Sequence, residues 1–221
     1  MPLAAIIFDV EGTLVDCVPH VLDSWKQTLE GAGHDVALAE LQRYSGMDGA
    51  DMLERLLPDQ SKKHKKGLLK AQGDRYRRDY LALARPFNGV RELFKTLKQR
   101  GFALGIATTC KKDELRSYDH SMRVVELTDA VACGNDVEKG KPHPDLYHAA
   151  LQKLGVMEPG TATAVGDTPY DAMAATALGM QATGVLTGGF SERVLKDTGC
   201  DLVLEEVREL AERIGLPRSE T

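Results

Sequence analysis

Short apolar runs alternate along most of the chain with stretches in which apolar residues recur every three or four positions. A short run bounded by turn residues is typical of a buried strand, and the longer spacing is typical of a helix packed on one face. The runs predict strands near 4–8, 103–107, 130–133, 162–166, 182–186 and 201–204. This alternation favours an α/β fold, a Rossmann-like parallel sheet with helices on both of its faces.

Helical spacing predicts amphipathic helices that follow several of these strands. One begins near Val90 and is ended by Gly101, and a second runs from Pro144 to Gly155. Proline at the start and glycine just past the end suit the two ends of a helix. A last helix is predicted to carry Val207, Leu210, Ala211 and Ile214.

One region interrupts the alternation. Residues 9–102 separate the first two predicted strands, which is far too long for a simple crossover. Helical stripes occupy 18–84, and they comprise Val18, Val21, Leu22, Trp25, Leu29 and Ala32, then Met52, Leu53, Leu56 and Leu57. We therefore expect an α/β core of residues 1–16 and 86–221, with an inserted all-α domain of residues 17–85. Its hinges are expected near 16–19 and 85–89.

Composition excludes several classes of function. Hydrophobic residues make up 43% and charged residues 28% of the chain, as in an ordinary soluble protein. A net charge of -5 disfavours a nucleic-acid-binding protein, and the basic stretches at 61–70 and 74–80 are better explained as solvated helix faces. The N-terminus lacks the features of a signal peptide, and no apolar run has the length of a membrane span. We expect a cytoplasmic monomer or homodimer.

The four cysteines, Cys17, Cys110, Cys133 and Cys200, lie far apart and form no C-x-x-C pair. Such spacing is typical of reduced thiols in a cytosolic protein, and it argues against a zinc site or a disulfide framework. We interpret them as small packing residues.

Charged and hydroxyl side chains follow the predicted strands at their carboxyl ends, where open α/β sheets bind ligands. Separate chain segments supply carboxylates, hydroxyls and one ammonium group to this edge, namely Asp9, Glu11, Thr108, Thr109, Lys141, Asp167 and Asp171.

The segments FDVEGTLVD (8–16), IATT (106–109), GKPHPD (140–145) and GDTPYDA (166–172) together resemble the four motifs of the haloacid dehalogenase-like hydrolase superfamily. Most members of that superfamily are phosphatases that use an aspartate nucleophile. The insertion resembles the helical cap of its commonest small-molecule branch. LTGGFSE (186–192) resembles a widespread bacterial subgroup described only as hydrolases.

The resemblance assigns roles to the residues that match the motifs. It implies that Asp9 is the nucleophile and that Lys141 neutralises both nucleophile and phosphate. A carboxylate can attack phosphorus and so divide a difficult hydrolysis into two easier steps. Because a phosphate dianion repels that carboxylate, such a site needs Mg²⁺ and an ammonium group to neutralise the charge. Thr108 would offer its hydroxyl to a phosphoryl oxygen, and the Thr109 backbone N–H, at a turn into a helix, would suit an anion.

The expected cofactor is Mg²⁺. The family pattern implies that Asp9 and Asp167 bind it through their side chains and Glu11 through its backbone carbonyl. Asp171 is expected either to bind the ion directly or to lie beside it. An early-helix acid that only favours the helix dipole remains an alternative for Asp171.

Glu11 departs from the commonest pattern, because the phosphatases usually place aspartate there as general acid and base. The extra methylene moves the carboxyl group outward by about 1.5 Å, enough to affect catalytic placement. Enolase-phosphatases of the same superfamily also carry D-x-E-G-T, so glutamate is compatible with phosphatase chemistry. A catalytically silent binding or regulatory module, in which Glu11 marks lost activity, is the alternative from another functional class.

We expect the substrate to be a small phosphorylated metabolite. The loop RYSGMDGADM (43–52) is the predicted contact with it, and Arg43 is its one nearby cation. In the sugar-phosphate mutase relatives this loop grips a second phosphate, and a histidine stands where this chain has Val21. A phosphomutase is therefore the less favoured enzyme alternative. His20, Tyr44 and Met47 are equally compatible with the pocket and with core packing.

The remaining candidates have weaker claims. Asp16 is interpreted as a structural residue of the turn into the insertion, and His143 has a weak claim to contact the substrate as a neighbour of Lys141. The other histidines are expected at the surface, and they are His34, His64, His120 and His148.

Overall fold

The computed structural model describes residues 3–214 as a parallel sheet with helices on both faces and a helical insertion after its first strand. The strands are β1 (Ala5–Phe8), β2 (Val15–Asp16), β3 (Arg85–Pro86), β4 (Ala103–Thr108), β5 (Ala130–Cys133), β6 (Ala162–Gly166), β7 (Gln181–Val185) and β8 (Leu202–Leu204). The helices are α1 (Val18–Gly31), α2 (Leu38–Arg43), α3 (Gly49–Leu56), α4 (Lys62–Asp79), α5 (Val90–Gln99), α6 (Lys112–Met122), α7 (Asp145–Leu154), α8 (Pro169–Thr176), α9 (Glu192–Asp197) and α10 (Leu210–Arg213).

The sheet has the strand order β5-β4-β1-β6-β7-β8, and all of its pairings are parallel. In its centre Phe8 of β1 aligns with Ile106 of β4 on one side and with Val165 of β6 on the other. The carboxyl ends of these three strands therefore lie at one edge, and residues that follow them are brought together there.

Helices cover both faces of the sheet, as the contacts of alternate side chains in β1 show. Ile6 and Phe8 belong to one apolar cluster with Phe94 of α5, whereas Ala5 and Ile7 belong to another with Tyr147 of α7. All four residues of β1 are buried, because successive side chains point to opposite faces and each face is covered. The Rossmann-like α/β fold expected from the apolar runs is confirmed.

The predicted strands are present, with bounds that differ by one residue at most at either end. The helices predicted from Val90 and from Pro144 are α5 and α7. The last helix differs from the prediction, because the chain forms a 3₁₀ turn over Val207–Glu209 and a single short α-helix, α10, after it. Val207 and Leu210 are both buried, as their spacing predicts.

The helical insertion, α1 to α4, lies between β2 and β3 and has an apolar cluster of its own. Leu22, Trp25 and Leu29 of α1 pack there with Met52 and Leu53 of α3. β2 and β3 form an antiparallel pair, with Val15 opposite Pro86 and Asp16 opposite Arg85. The two expected hinge segments are thus hydrogen-bonded to each other. Two-residue strands have no period that a sequence pattern can reveal.

None of the helices within residues 3–214 has both the length and the apolar character needed to cross a membrane. All four cysteines are buried as free thiols. The basic stretches lie on or beside α4, where much of their charge is paired locally, for example Lys65 with Glu54 at 2.6 Å and Lys70 with Asp74 at 2.5 Å.

Candidate active site

The sequence-predicted lysine and acids meet at the carboxyl edge of the sheet. Lys141, which is 1% exposed, lies between two aspartates. Its Nζ is 2.7 Å from Asp171 Oδ1, to which it donates a hydrogen bond. It is also 2.6 Å from Asp9 Oδ1, an ion pair whose angles are not those of a hydrogen bond. The single ammonium group therefore neutralises part of the charge of both acids.

Asp171 is held by protein groups on both of its oxygens. Oδ1 accepts hydrogen bonds from Lys141 Nζ and from the Tyr147 hydroxyl, at 2.7 and 2.8 Å. Oδ2 accepts from the Thr168 hydroxyl at 2.6 Å, in the capping box that begins α8. Because both oxygens already accept hydrogen bonds from protein groups, this geometry disfavours direct binding of an ion by Asp171, and its place in the capping box also fits the alternative of an early-helix acid.

Asp167 is a buried acid with one oxygen bonded and the other without a partner among the described residues. Its Oδ1 accepts a hydrogen bond from the Thr13 hydroxyl at 2.8 Å, but Oδ2 has no partner among residues 3–214. Two glycines press against that oxygen, since a Cβ on Gly12 or on Gly188 would lie 2.1 or 2.2 Å from it. Gly12 also has φ +85°, a conformation that favours glycine. The Thr187 hydroxyl donates a hydrogen bond to the Gly12 carbonyl at 2.5 Å, which holds the Gly12 backbone against Asp167.

The electrostatics of the three aspartates suit a bound cation. One oxygen from each of Asp9, Asp167 and Asp171 lies within 4.8 Å of the others. Burial, and then the charges of Asp9 and Asp171, raises the pKa of Asp167 well above its usual range. Burial and the charge of Asp171 also raise the pKa of Asp9, although Lys141 opposes the shift.

Burial alone would lower the pKa of Lys141, but ion pairs with Asp171 and Asp9 outweigh it and raise that pKa. One buried ammonium group thus faces three buried carboxyl groups. A hard divalent ion with oxygen ligands fits this imbalance, since it would both neutralise the excess negative charge and give Asp167 Oδ2 a partner.

Glu11 lies in this site but its carboxyl group is held by a helix of the core. Glu11 Oε1 accepts a hydrogen bond from the Tyr118 hydroxyl of α6 at 2.7 Å. The Tyr118 hydroxyl is in turn 2.6 Å from that of Tyr76 on α4 of the insertion. Burial, then the charges of Glu114 and Asp9, raises the pKa of Glu11 to about 7, although the Tyr118 hydrogen bond acts in the opposite direction.

The two threonines at the end of β4 occupy different positions. Thr108 is fully buried, and its hydroxyl accepts a hydrogen bond from the Cys110 backbone N–H at 3.3 Å. Thr109 is partly exposed and lines the cavity between core and insertion. Helix α6 begins at Lys112, so the Thr109 backbone lies just before a helix N-terminus, as expected.

That cavity has a volume of about 340 Å³ and lies between Asp9, Glu11 and Lys141 on the core side and the helical insertion opposite. Of the loop predicted at 43–52, only 44–48 connect two helices, since Arg43 ends α2 and Gly49 begins α3. This connection reaches the core directly, because the Asp48 backbone N–H donates to the Lys141 carbonyl at 2.7 Å. Tyr44 and Met47 line the cavity. Together these contacts enclose the acids under the insertion.

Other residues considered from the sequence lie outside the cavity lining. Arg43 is exposed, and His20 packs beside the ring of Tyr80 with 5.8 Å between ring centroids. His143 contacts Asp51 of α3 at 3.0 Å, which links the core loop to the insertion. Asp16 is exposed on β2. Of the four histidines expected at the surface, His120 and His148 are exposed, whereas His34 and His64 are half-buried and contact each other at 2.9 Å.

A family model for haloacid dehalogenase-like hydrolases matches residues 6–185, which include all of the acids and Lys141. The chain belongs to this family. Among its relatives, pyrophosphatase PpaX of Bacillus pumilus is 25% identical over 95% of each chain. Phosphoglycolate phosphatase of Rhodospirillum rubrum is 28% identical over 97% of this chain and 92% of its own.

A solved structure of a hydrolase from Pseudomonas syringae has the same fold. It superposes with a TM-score of 0.88 at 27% identity and covers 95% of this chain and 97% of its own. The similarity to haloacid dehalogenase-like hydrolases therefore extends over the insertion as well as the core.

Several residues that hold the site together are not among those predicted from the sequence. Thr13 and Thr168 stand inside the quoted motifs, and the position of Thr168 directly after Asp167 was an available signal. Tyr147, Tyr118 and Tyr76 gave no such signal, because each occupies an ordinary apolar position of a helix. The hydroxyls of Tyr147 and Tyr118 reach the acids, and that of Tyr76 reaches Tyr118, only through the tertiary fold.

Proposed function

We propose that this protein is a Mg²⁺-dependent phosphatase that hydrolyses a small phosphate monoester through an aspartyl-phosphate on Asp9. The main support for the proposal is the position of Lys141 Nζ, 2.6 Å from Asp9 Oδ1 and 2.7 Å from Asp171 Oδ1. Beside them lies Asp167, one of whose oxygens has no partner within residues 3–214. The names of the phosphatase and pyrophosphatase relatives support the same reaction class.

Asp9 is the nucleophile in this proposal. Its carboxylate lies in the cavity at the end of the central strand, and β1, buried on both faces, fixes its backbone. Attack on phosphorus forms the Asp9–phosphate bond and releases the alcohol, and a water molecule then releases phosphate. Lys141 stays charged because it is paired with two acids, so it can offset charge on the phosphoryl oxygens throughout. Thr109, with Thr108 supporting the turn, would bind those oxygens.

Asp9, Asp167 and the Glu11 backbone carbonyl would hold Mg²⁺. Bound there, the ion would supply positive charge to the transferring phosphoryl group. Asp171 positions Lys141 rather than taking a place on the ion, because its two oxygens are already engaged by protein donors. Thr13 orients Asp167 through its hydrogen bond.

Glu11 is the proposed general acid and base. It would protonate the departing alcohol oxygen and later take a proton from the attacking water. Tyr118 draws the longer glutamate side chain towards α6, which accounts for a residue one methylene longer than aspartate at this position.

We propose that residues 17–85 form a separate cap domain that opens and closes over the site. Its contacts with the core include the Asp51–His143 pair at 3.0 Å and the Arg77–Glu114 pair at 3.1 Å. Opening to admit substrate would break these two contacts, the Tyr76–Tyr118 hydroxyl contact and the backbone hydrogen bond from Asp48 to Lys141. The free buried thiols fit a protein of the reducing cytoplasm.

The two alternatives are less well supported. A phosphomutase must hold a second phosphate, yet Arg43 of the 43–52 loop does not line the cavity. A silent module would not need the buried charges of Asp9, Lys141 and Asp167, which are costly to desolvate and are all present. Phosphate release measured on a panel of phosphorylated metabolites, with and without Mg²⁺, tests the proposal. Absence of released phosphate from every compound would refute it.

We expect Tyr118→Phe to impair catalysis selectively for esters whose alcohol needs protonation. Without the Tyr118 hydroxyl the Glu11 carboxyl group is misplaced as a proton donor. Because kcat/KM reports the steps up to phosphoryl transfer, it should fall roughly 10- to 100-fold for an alkyl phosphate. For para-nitrophenyl phosphate, whose leaving group departs without help, the loss should be at most about threefold.

The matched control is Tyr170→Phe, which removes a hydroxyl from another contact between core and insertion, the 2.5 Å hydrogen bond to the Arg43 carbonyl. That variant should leave the alkyl-to-aryl ratio of kcat/KM unchanged. An equal loss on both substrates in Tyr118→Phe would show that Tyr118 only supports the fold.

A further inference from the structure

The wall of the cavity that the helical insertion contributes is largely apolar. Hydrocarbon and thioether side chains face the cavity from α1, from the 43–52 loop with α3, and from α4. They are Val18, Leu22, Trp25, Met47, Met52 and Leu69. Five of the six are buried by packing in the insertion's own cluster, so this wall is built into the fold rather than assembled from mobile surface residues.

The charged groups of that wall are not available to an anion. Among residues 3–214 that line the cavity, Arg77 is the cation that the insertion contributes, and both ends of its guanidinium are occupied. One amino group lies 2.7 Å from Asp74 Oδ1 and the other 3.1 Å from Glu114 Oε1. The insertion's other charged lining residue is Asp48, an acid.

The cations that line the cavity from the core are Lys141 and Lys111. Lys141 is paired with Asp9 and Asp171. Lys111 is exposed and is the N-cap residue of α6, two residues after Thr109 and on the wall opposite the insertion. Glu114 and Glu138 also line this cavity. A second anionic group on the substrate, placed against the insertion, would therefore meet acids and hydrocarbon and would lose its hydration without gaining a free cation.

We infer that the substrate is a phosphate monoester whose alcohol is uncharged and largely apolar, such as a substituted phenol or a branched aliphatic alcohol. The inference rests on the proposed phosphatase function and narrows it. A cavity of about 340 Å³ can hold such a group together with the phosphate. Apolar contact with the alcohol contributes binding free energy through area removed from water. Pyrophosphate and phosphoglycolate, the compounds in the relatives' names, carry a second anionic group and should be poor substrates.

The direct test compares two substrates of one shape that differ by one charge, para-carbamoylphenyl phosphate and para-carboxyphenyl phosphate. Both are assayed with the full chain and Mg²⁺, and kcat/KM is measured for each. We expect the uncharged amide to be favoured by about tenfold, the ratio that corresponds to ~1.4 kcal/mol. Pyrophosphate and phosphoglycolate are assayed alongside, and both should fall below the amide.

A charge placed at the cavity mouth provides an independent check. Leu69→Lys is suited to this, because Leu69 lines the cavity and is 37% exposed, so a lysine can fit without disrupting the core. It should reduce the preference for the amide by about threefold, the effect of one exposed ion pair. The control Leu38→Lys adds the same charge at an exposed helical position outside the cavity lining, and it should leave the ratio unchanged.

The possible outcomes separate the inference from the function on which it rests. A higher kcat/KM for the amide than for the carboxylate, with the ratio reduced in Leu69→Lys and kept in Leu38→Lys, supports both the phosphatase function and the apolar-alcohol inference. Equal or better turnover of the carboxylate, of pyrophosphate or of phosphoglycolate overturns the apolar-alcohol inference and leaves a phosphatase. The same ratio in Leu69→Lys as in the parent shows that the insertion wall does not contact the alcohol and also overturns it. No phosphate from any compound overturns the phosphatase proposal and the inference together.

Discussion

Asp9→Asn is expected to lose phosphatase activity on the order of 10⁴-fold or more in kcat, because the amide cannot form the aspartyl-phosphate. The fold should survive the change. Asp9 is 2% exposed and packed against other acids, so removal of its charge relieves repulsion with Asp167 and Asp171 at the same time as it weakens the pair with Lys141. Released phosphate under saturating substrate is the measurement, with thermal unfolding as a check of folding.

Asp16→Asn is the matched control for this variant. The substitution is chemically identical and only seven positions away in the same motif, but Asp16 is exposed on β2 and does not line the cavity. It should retain activity within about twofold of the parent, as surface substitutions generally do. Full turnover by Asp9→Asn would refute nucleophilic catalysis by this residue.

Magnesium is expected to stabilise the folded protein as well as support turnover. At an ion concentration about 100 times the dissociation constant, binding to the native state contributes ~2.7 kcal/mol. For a chain of this length, that corresponds to an increase in Tm of about 5–10 °C. The physical reason is the surplus of buried carboxyl groups around Asp167, whose pKa is raised by burial and by its neighbours. Removal of the ion by chelation should abolish phosphate release.

Asp167→Asn should lose most of this stabilisation, because it removes a proposed side-chain ligand. The ion-free variant should be at least as stable as the ion-free parent, since one buried and poorly compensated carboxyl group is gone. As a control, Asp201→Asn alters an exposed acid after β7 and should keep the full increase in Tm. An unchanged Mg²⁺ effect in Asp167→Asn would exclude Asp167 as a ligand.

Much of the fold follows from local patterns. Helices cover both faces of the sheet, so nearly every residue of β1, β4 and β6 is buried and these strands are mostly apolar. Such uninterrupted apolar runs made the strands identifiable from the sequence. The β2–β3 pair could not be predicted, because two residues carry no alternation and their pairing joins positions that the whole insertion separates. The helix predicted to begin at Val207 is shorter than expected, because the chain forms a 3₁₀ turn at Val207–Glu209 and α10 begins only at Leu210.

The candidate site was predictable to the extent that its residues follow strands. Asp9 and Asp167 stand directly after adjacent strands, and strand order alone brings them to one edge. The supporting groups come from distant positions: Thr13 reaches Asp167 across 154 residues, and Tyr118 reaches Glu11 across 107. Nothing in a helical stripe distinguishes a tyrosine whose hydroxyl contacts an acid from one that only fills space. The charge pairing of Arg77, which bears on substrate class, was equally hidden.

The most direct test of the account is chemical trapping of the covalent intermediate. The enzyme is mixed with substrate and Mg²⁺, quenched during turnover and treated with borohydride, which reduces an acyl phosphate but not a free carboxylate. Peptide mass spectrometry then locates the product. We predict homoserine at position 9 in the parent when substrate is present and none when substrate is omitted. Turnover with Asp9 left unreduced, or with the reduced residue at another acid, would contradict the account.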